Sequence, residues 1–422
     1  MKYKLKDLCS ITKGDTGIMK ADGGKYPLVA MSDERRNHSE FQFDAKAVIV
    51  PLISSTGHGH ASMKRVHYQE GKFALGNILC AVIPNDETQL NAKYLHLYLQ
   101  QFKETLLVPL MKGAANVSLP MNKLADVEIE VPSLERQFEI IELEEEAAEY
   151  KNELEERLIA QDGDVAKLRQ ALLREAIQGK LTKQNAKDGN AKDLLKKVKE
   201  EKQQLIAENK LKREKVLPPI KEAENPFEIP TNWAWCRLDD IFLFTNGKAH
   251  EQFVSENGKY ILINSRFVST SGETRKYSSE LLTPLFINDL AIVMSDVPNG
   301  RALGRIFLVD KDDTYTLNQR IGGLSVLGNL NPKYLAIVID RNKHFLSFDD
   351  GKKQTNLKKE QITSCPIPLP PLEEQERIVK RIEQLMQLCD ELQYSILQSK
   401  IENEKLLQGA LRDALKKVEF AV

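Results

Sequence analysis

Apolar residues recur along 372–422 at Ile378, Ile382, Leu385, Cys389, Leu392 and Ile396, in alternating steps of four and three. Ser399, Asn403, Leu406 and Ala410 continue the same seam. Such a heptad stripe predicts a helix much longer than a globular protein normally holds. Residues 132–180 carry a second stripe with polar interruptions: Ile140, Glu144, Ala147, Lys151, Leu154, Leu158, Gln161, Val165, Leu168 and Leu172. Both segments start just after a proline, with Glu135 or Glu373 and Glu374 in the first turn, where carboxylates complement the helix dipole. A helix of about 46 residues is about 70 Å long at 1.5 Å per residue. A seam of that length needs a partner, and the other stripe is the obvious one. The expected helix–helix interface sets Ile140, Leu154, Leu158, Leu168 and Leu172 against Ile378, Ile382, Leu385, Leu392, Ile396 and Leu406.

The rest of the pattern is shorter in period. Residues 43–53, 73–83, 287–297 and 320–328 read as strands, the first and third running straight into polar loops. Residues 91–102 and 331–341 have helical periodicity. Between the halves, Leu194, Leu195, Val198, Leu205 and Ile206 make a helical stripe in a Lys- and Glu-rich linker that breaks at Pro218 and Pro219. The two halves match. VPSLERQ at 131–137 and LPPLEEQ at 369–375 lie 238 residues apart, and residues 131–180 share 14 identities in 50 with 369–418 at that offset, without a gap. LNAKYLHLYL at 90–99 likewise echoes LNPKYLAIVI at 330–339. Duplication is the natural reading. The expected layout is α+β: a mixed domain at 1–131, a long helix at 132–180, a charged helical linker at 181–230, a second mixed domain at 231–371 and a second long helix at 372–422.

Composition narrows the class. The chain has 422 residues, with 60 Lys and Arg against 61 Asp and Glu, so its net charge of −1 excludes a uniformly basic nucleic-acid coat. No apolar run approaches the roughly 18 residues of a spanning helix. MKYKLKDLCS at the start lacks the apolar core of a signal peptide, and the five cysteines form no C-x-x-C pair. A protein of a reducing cytoplasm, away from membranes, is expected. The neutrality is a sum of unlike parts: −6 for 132–180 and −2 for 372–422, but +2 for each mixed domain and +3 for the linker.

Enzymatic signatures are absent from the sequence. Gly24-Lys25 and Gly247-Lys248 are not followed by the Ser or Thr of a phosphate-binding loop, and no Asn-Pro-Pro-aromatic stretch occurs. The His pair in GHGH at 57–60 has no nearby third metal ligand. What remains is a set of polar, basic, glycine-containing loops. The first domain offers Arg35, Arg36 and Asn37; Ser55, Thr56, His58, His60, Lys64 and Arg65; and Lys112 and Asn116. The second offers Asn264, Arg266, Arg275 and Lys276; Asn299, Arg301 and Arg305; Asn318, Gln319 and Arg320; and Lys352, Lys353, Gln354 and Asn356. Arg pairs with guanine, and Asn or Gln with adenine, through two hydrogen bonds to a base edge, while Lys, Ser and Thr hold phosphates. Any one of these residues is more simply a solvated loop residue. Their recurrence at matching places in two copies favours DNA reading.

The layout resembles the specificity subunit of type I restriction-modification systems. The resemblance rests on PFEIPTNWAWCRLDDI (226–241), the linker run from KDGNAKDLLKK onward (187–220), QALLREAIQGKLTKQ (170–184), and IPLPPLEEQERIV (367–379) with its first copy VPSLERQFEII. It implies two target recognition domains joined by two long antiparallel coiled-coil helices in a pseudo-twofold repeat. Each domain would read one half of a split, asymmetric site in double-stranded DNA, with the helices as spacer. It also implies two methylation subunits docked on the helices and bringing S-adenosylmethionine. Restriction subunits would bring ATP and magnesium, leaving no cofactor and no catalysis in this chain. The opening MKYKLKDLCSITKG departs from the pattern, lacking the tryptophan pair of the second copy. A coiled-coil scaffold with two binding heads and no DNA is the alternative, and a nuclease fused to a reader is a more distant one.

Overall fold

The computed structural model describes residues 1–17, 23–32, 34–56, 59–114, 116–211, 217, 218, 220, 221 and 224–416. The chain forms two compact units. The first holds Met1–Gln161 and the chain from Ser395; the second holds Asp162–Tyr394.

In the first unit, strands Cys9–Lys13, Leu79–Pro84, Ala47–Pro51 and His67–Gln69 form, in that order, an antiparallel sheet. A second sheet runs Arg36–His38, Tyr26–Val29, Lys72–Leu75, Phe43–Asp44, with Tyr26–Val29 parallel to Lys72–Leu75. Strand Ala47–Pro51 is buried at every residue. Side chains alternate across a strand, so Val48 and Val50 join the larger core under helix Ala92–Leu106, while Ala47 and Ile49 join the smaller one with Val29, Phe73 and Leu75.

The second unit repeats this plan. Strands Phe242–Asn246, Ile321–Val326, Leu290–Val293 and Ile306–Leu308 form the antiparallel sheet, and Tyr260–Ile263 lies parallel to Tyr315–Leu317 in the other. Leu290 and Ile292 face one core, Ala291 and Val293 the other.

The repeat extends to single hydrogen bonds. Tyr94 Oη donates to the Glu130 carbonyl at 2.8 Å, and Tyr334 Oη to the Pro368 carbonyl at 2.7 Å. Gln137 Oε1 accepts from Asn91 N at 2.8 Å, and Gln375 Oε1 from Asn331 N at 2.9 Å. Both glutamines are fully buried, and each also donates to a proline carbonyl just before its own helix, Pro132 or Pro370. The Gln that closes each VPSLERQ-type motif thus bolts a long helix to the domain preceding it.

Those helices are Leu134–Ile177 and Leu372–Lys416. Within the second unit, Arg169 donates to Asp390 at 2.5 Å and Gln393 donates to Asp162 at 2.9 Å, so the two stretches there run antiparallel. Within the first unit, Leu411 and Leu415 pack into the core that holds Ile140 and Ile141.

The expected seam is only partly realised. Ile140, Leu158, Ile378 and Ile382 are buried, and Leu154, Leu172, Leu385 and Ile396 are half-buried. Leu168, Leu392 and Leu406 instead face solvent, at 42%, 49% and 68% exposure. Residues beside the seam are covered instead: Leu407 and Leu411 are half-buried and Leu415 buried in one helix, and Arg169 is half-buried and Ala176 buried in the other. A helix of 3.6 residues per turn drifts by about 20° per heptad against a strict 3.5 repeat. A heptad carried past Asn403 therefore rotates Leu406 out of the contact, whereas Leu168 and Leu392 are exposed between seam positions that stay covered.

One feature breaks the repeat. Glu374 is fully buried and accepts hydrogen bonds from Trp233 Nε1 at 2.9 Å, Gln184 Nε2 at 2.6 Å and Thr182 Oγ1 at 3.1 Å. Three residues on, Arg377 pairs with Asp188. Together these fasten the N-terminal end of the linker, whose helix is Ala191–Ala207, and the entry of the second mixed domain at Trp233 to the start of the second long helix. At the same places in the first copy stand half-exposed Arg136 and exposed Glu139, paired with each other at 2.6 Å.

Candidate nucleic-acid interface

In each unit the strand buried on both faces runs out of the sheet into a polar loop, and that loop is stitched to a second one. In the first unit, Ile53 bridges Ser118 and Ser54 N donates to the Val117 carbonyl at 2.9 Å. In the second, Ser295–Asp296 pairs with Thr355–Asn356. Ser118 and Asn356 are 238 residues apart, so the stitch itself is repeated.

The first pair of loops presents Ser55, Thr56, His60 and Lys64 from one side and Lys112 and Asn116 from the other, all exposed. Short bonds hold the loop in shape. Ser54 Oγ donates to the His60 carbonyl at 2.6 Å, and Ser55 Oγ accepts from Lys64 N at 2.9 Å. His58 lies outside the described residues.

The second pair presents Asn299 and Arg301 beside Lys352, Lys353, Gln354 and Asn356, also exposed. Gln354 Nε2 donates to Ser295 Oγ at 2.8 Å and Asn299 Nδ2 to the Gly351 carbonyl at 3.2 Å. Asp296 organises the turn between them. Its carboxylate accepts from Val297 N at 2.9 Å, Ala302 N at 2.6 Å and Leu303 N at 3.0 Å. A Cβ on Gly300 would lie 2.1 Å from that carboxylate, so only glycine fits there. Asn264 caps the short helix Ser265–Ser269, which carries exposed Arg266, and Ser265 Oγ donates to the Ser295 carbonyl at 3.4 Å. Asn318, Gln319 and Arg320 form the turn before Ile321–Val326; the Arg320 carbonyl accepts from Met294 N at 2.9 Å, which brings this turn to the same edge.

Other candidates stand apart from these clusters. Arg36 and Asn37 lie on strand Arg36–His38 of the second sheet, exposed. Arg275 turns back onto its own loop, donating to the Gly272 carbonyl at 2.9 Å, and Lys276 precedes strand Tyr277–Ser278. Arg305 is paired with Asp340 at 3.3 Å, which offsets its charge.

Arg35 and Arg65 are half-buried, and with Lys64 they line an open pocket of about 500 Å³ beside His67, Tyr68, His96 and Gln100. Burial lowers the pKa of the Arg35 guanidinium. Burial, then the charges of Arg35 and Arg65 and the nearby His96, push the His67 imidazole down to about 4. Burial lowers His96 as well. Sequence reasoning passed over His67, His96 and Gln100 because they fall on a strand and a helix that read as scaffold. The one available signal was the alignment of the two copies, which sets Gln100 against Asp340. Among the described residues, no cluster of three or more His, Cys, Asp or Glu side chains could hold a metal ion. No helix among them is long and apolar enough to cross a membrane.

The family model for the type I restriction modification DNA specificity domain matches residues 1–161 and 230–403. The chain is 30% identical over 269 residues to the type I restriction enzyme EcoAI specificity subunit of Escherichia coli, covering 61% of this chain and 46% of that one. It is 28% identical over 274 residues to the EcoEI specificity subunit of Escherichia coli, with the same coverage of 61% and 46%. The chain thus spans about half the length of these curated relatives. The crystal structure of the HsdS subunit from Thermoanaerobacter tengcongensis has the same fold at 16% identity, with a TM-score of 0.57 over 99% of this chain and 97% of that one.

Proposed function

Since this chain belongs to the family of type I restriction-modification DNA specificity domains, we propose that it is the subunit that selects the DNA sequence on which a methylating and cleaving complex acts. Each mixed domain reads one half of a split, asymmetric site in double-stranded DNA. The observation that carries this is the repeated stitch: the same frame, 53–54 on 117–118 and 295–296 on 355–356, displays different side chains in the two copies. A constant frame with different Arg, Lys, Asn and Gln side chains is what reading two unlike half-sites requires.

The long helices fix the interval between half-sites and dock two methylation subunits on their exposed apolar residues. Phe138, Tyr150, Ile159, Leu168, Leu392 and Tyr394 are each more than 40% exposed. Solvated faces of that kind are places where a partner gains by covering apolar area. The methylation subunits supply S-adenosylmethionine; restriction subunits, where they join, supply ATP and magnesium. This chain itself contributes no catalytic group, and the assembly works in the cytoplasm. Linking two weak readers raises affinity through effective concentration, so neither domain needs a strongly basic surface.

Methylome sequencing of cells carrying this chain with its methylation subunits tests the reading. One split, asymmetric methylated motif is expected, and a methylome with no motif refutes it. Charge reversal at Arg36, Lys64, Arg301 or Arg320 is expected to abolish methylation of that motif while the subunits still co-purify.

A further inference from the structure

The loop that follows strand Leu290–Val293 has an apolar tip, and the matching loop of the first unit does not. Val297 is 62% exposed, and Pro298 beside it is exposed too. Aligning the two stitches, Ser295 with Ile53, sets Ser55 where Val297 stands. Ser55 Oγ accepts from Lys64 N at 2.9 Å, and Ser55 N donates to the Ser62 carbonyl at 3.0 Å. One copy thus carries a polar residue bonded to its own loop, and the other a branched apolar side chain facing solvent.

A lone exposed valine on an ordinary surface needs no explanation. Val297 differs because a stiff turn is built around it. Val297 N donates to Asp296 Oδ1 at 2.9 Å, and the Val297 carbonyl accepts from Gly300 N at 2.9 Å, which closes a four-residue turn. Pro298 fixes its own φ, and Asn299 has a φ of 55°, the pattern of a type II turn. Asn299 Nδ2 ties this turn to the Gly351 carbonyl of the facing loop at 3.2 Å. Exposed Lys352, Lys353, Gln354 and Asn356 stand on that loop, and exposed Arg301 follows the turn. The carboxylates of the two loops are occupied by backbone N–H groups: Asp296 by Ala302 and Leu303, Asp349 by Gly351, and Asp350 by Lys352. A rigid apolar tip ringed by cations and amides suits a base edge rather than an apolar protein patch.

We infer that Val297 reads the 5-methyl group of a thymine in the half-site of the second domain. The inference rests on the reading of the chain as a DNA specificity subunit. Among the four bases only thymine presents a methyl group in the major groove. The polar side chains of the rim can bond the oxygens and nitrogens of base edges, and the methyl is left for an apolar group. A turn already ordered loses little freedom on making that contact.

Deoxyuridine is the decisive probe, because it differs from thymidine by that methyl alone. The full chain, co-purified with its methylation subunits, is titrated with a duplex carrying its methylated motif, each thymine replaced in turn. At one thymine, in one half-site, the replacement is expected to weaken binding about fourfold, the effect of one buried methyl. Val297→Ser, which installs the residue of the first copy, should bind the unmodified duplex about fourfold more weakly and lose nothing further at that deoxyuridine. Val297→Ile, which keeps the branch, should keep the preference for thymine. Both variants should unfold in urea and co-purify as wild type does, because the side chain is exposed. A scan that is flat at every thymine, or a sensitive thymine that stays equally sensitive in Val297→Ser, overturns the methyl contact and leaves the wider reading intact. Weaker binding by Val297→Ser with a flat scan gives the tip to a sugar or a base step and overturns it likewise. Loss of co-purification in Val297→Ser gives the tip to a partner protein, with the same consequence. A wild-type complex without sequence preference overturns the wider reading, and the methyl contact falls with it.

Discussion

Removing the Glu374 carboxylate should loosen the second unit far more than removing its counterpart Arg136 loosens the first. Glu374→Ala strips three donors of their acceptor at once: Trp233 Nε1, Gln184 Nε2 and Thr182 Oγ1. Thr182 and Gln184 are partly exposed and can turn to water, but Trp233 is 2% exposed and its indole N–H has nowhere to go. An orphaned buried donor costs about 1–3 kcal/mol, and hydrogen bonds to a charged group are worth about 1.5–3 kcal/mol each. Against this, the variant no longer has to desolvate a carboxylate, so a net loss of about 3 kcal/mol is expected. Glu374→Gln keeps the volume and one acceptor but turns an NH2 toward donors, and about half that loss should follow. Arg136→Ala, on an exposed pair, should stay within about 0.5 kcal/mol of wild type. The assay is urea unfolding followed by tryptophan emission for the second unit, which holds both of the chain's tryptophans, Trp233 and Trp235, and by far-UV circular dichroism, which also reads the first unit and so Arg136→Ala. For a unit of this size a loss of about 3 kcal/mol corresponds to a melting point lower by about 6–12 °C. A loss under about 1 kcal/mol in Glu374→Ala, or an equal loss in Arg136→Ala, would refute the reasoning.

Three other outcomes are expected. Gly300→Ala forces the Asp296 carboxylate off the three N–H groups it holds, so the complex should lose DNA affinity while urea unfolding of the scaffold changes little. Burial raises the thiol pKa of Cys9 and Cys80 to about 12, and pushes Cys236 and Cys365 upward too. Ellman's reagent at pH 8 should therefore leave these thiols unlabelled in the native protein and label all five cysteines once it is unfolded; rapid native labelling would contradict the packing. His67 titrates near 4 when folded, below its ordinary value, so the unfolded chain binds the proton first. The stability this gives is present above about pH 6.5 and is lost as pH falls toward 4. His67→Phe, the residue of the second copy, should flatten the melting temperature across that window, and an unchanged slope would count against the assignment.

The duplication and the long helices were legible in the sequence because both are written in period and offset. The VPSLERQ and LPPLEEQ motifs even marked the residues that bolt helix to domain, Gln137 and Gln375, although their hydrogen bonds to Asn91 and Asn331 could only be seen in three dimensions. The exposure of Leu406 was not legible, because a fixed heptad ignores the drift of a real helix. Loop composition found the residues on the two stitched loop pairs. It could not separate them from Arg275, which bonds its own loop, or from Arg305, which Asp340 neutralises. Charge pairing between residues 35 apart in the chain leaves no local trace. Gln100 and His67 were missed for the opposite reason: they sit on regular elements, and only the comparison of one copy with the other gives them meaning.

The linker fastened at Glu374 and Arg377 gives a duplicated frame one marked end. The start of the second long helix carries the strapped-down segment held by Glu374 and Arg377; the start of the first carries the half-exposed Arg136 paired with exposed Glu139. Two helix starts that stand at matching places in the repeat are therefore chemically distinguishable. A ligand that reads the surface at one helix start meets a different chemistry at the other, and a duplicated chain acquires a direction.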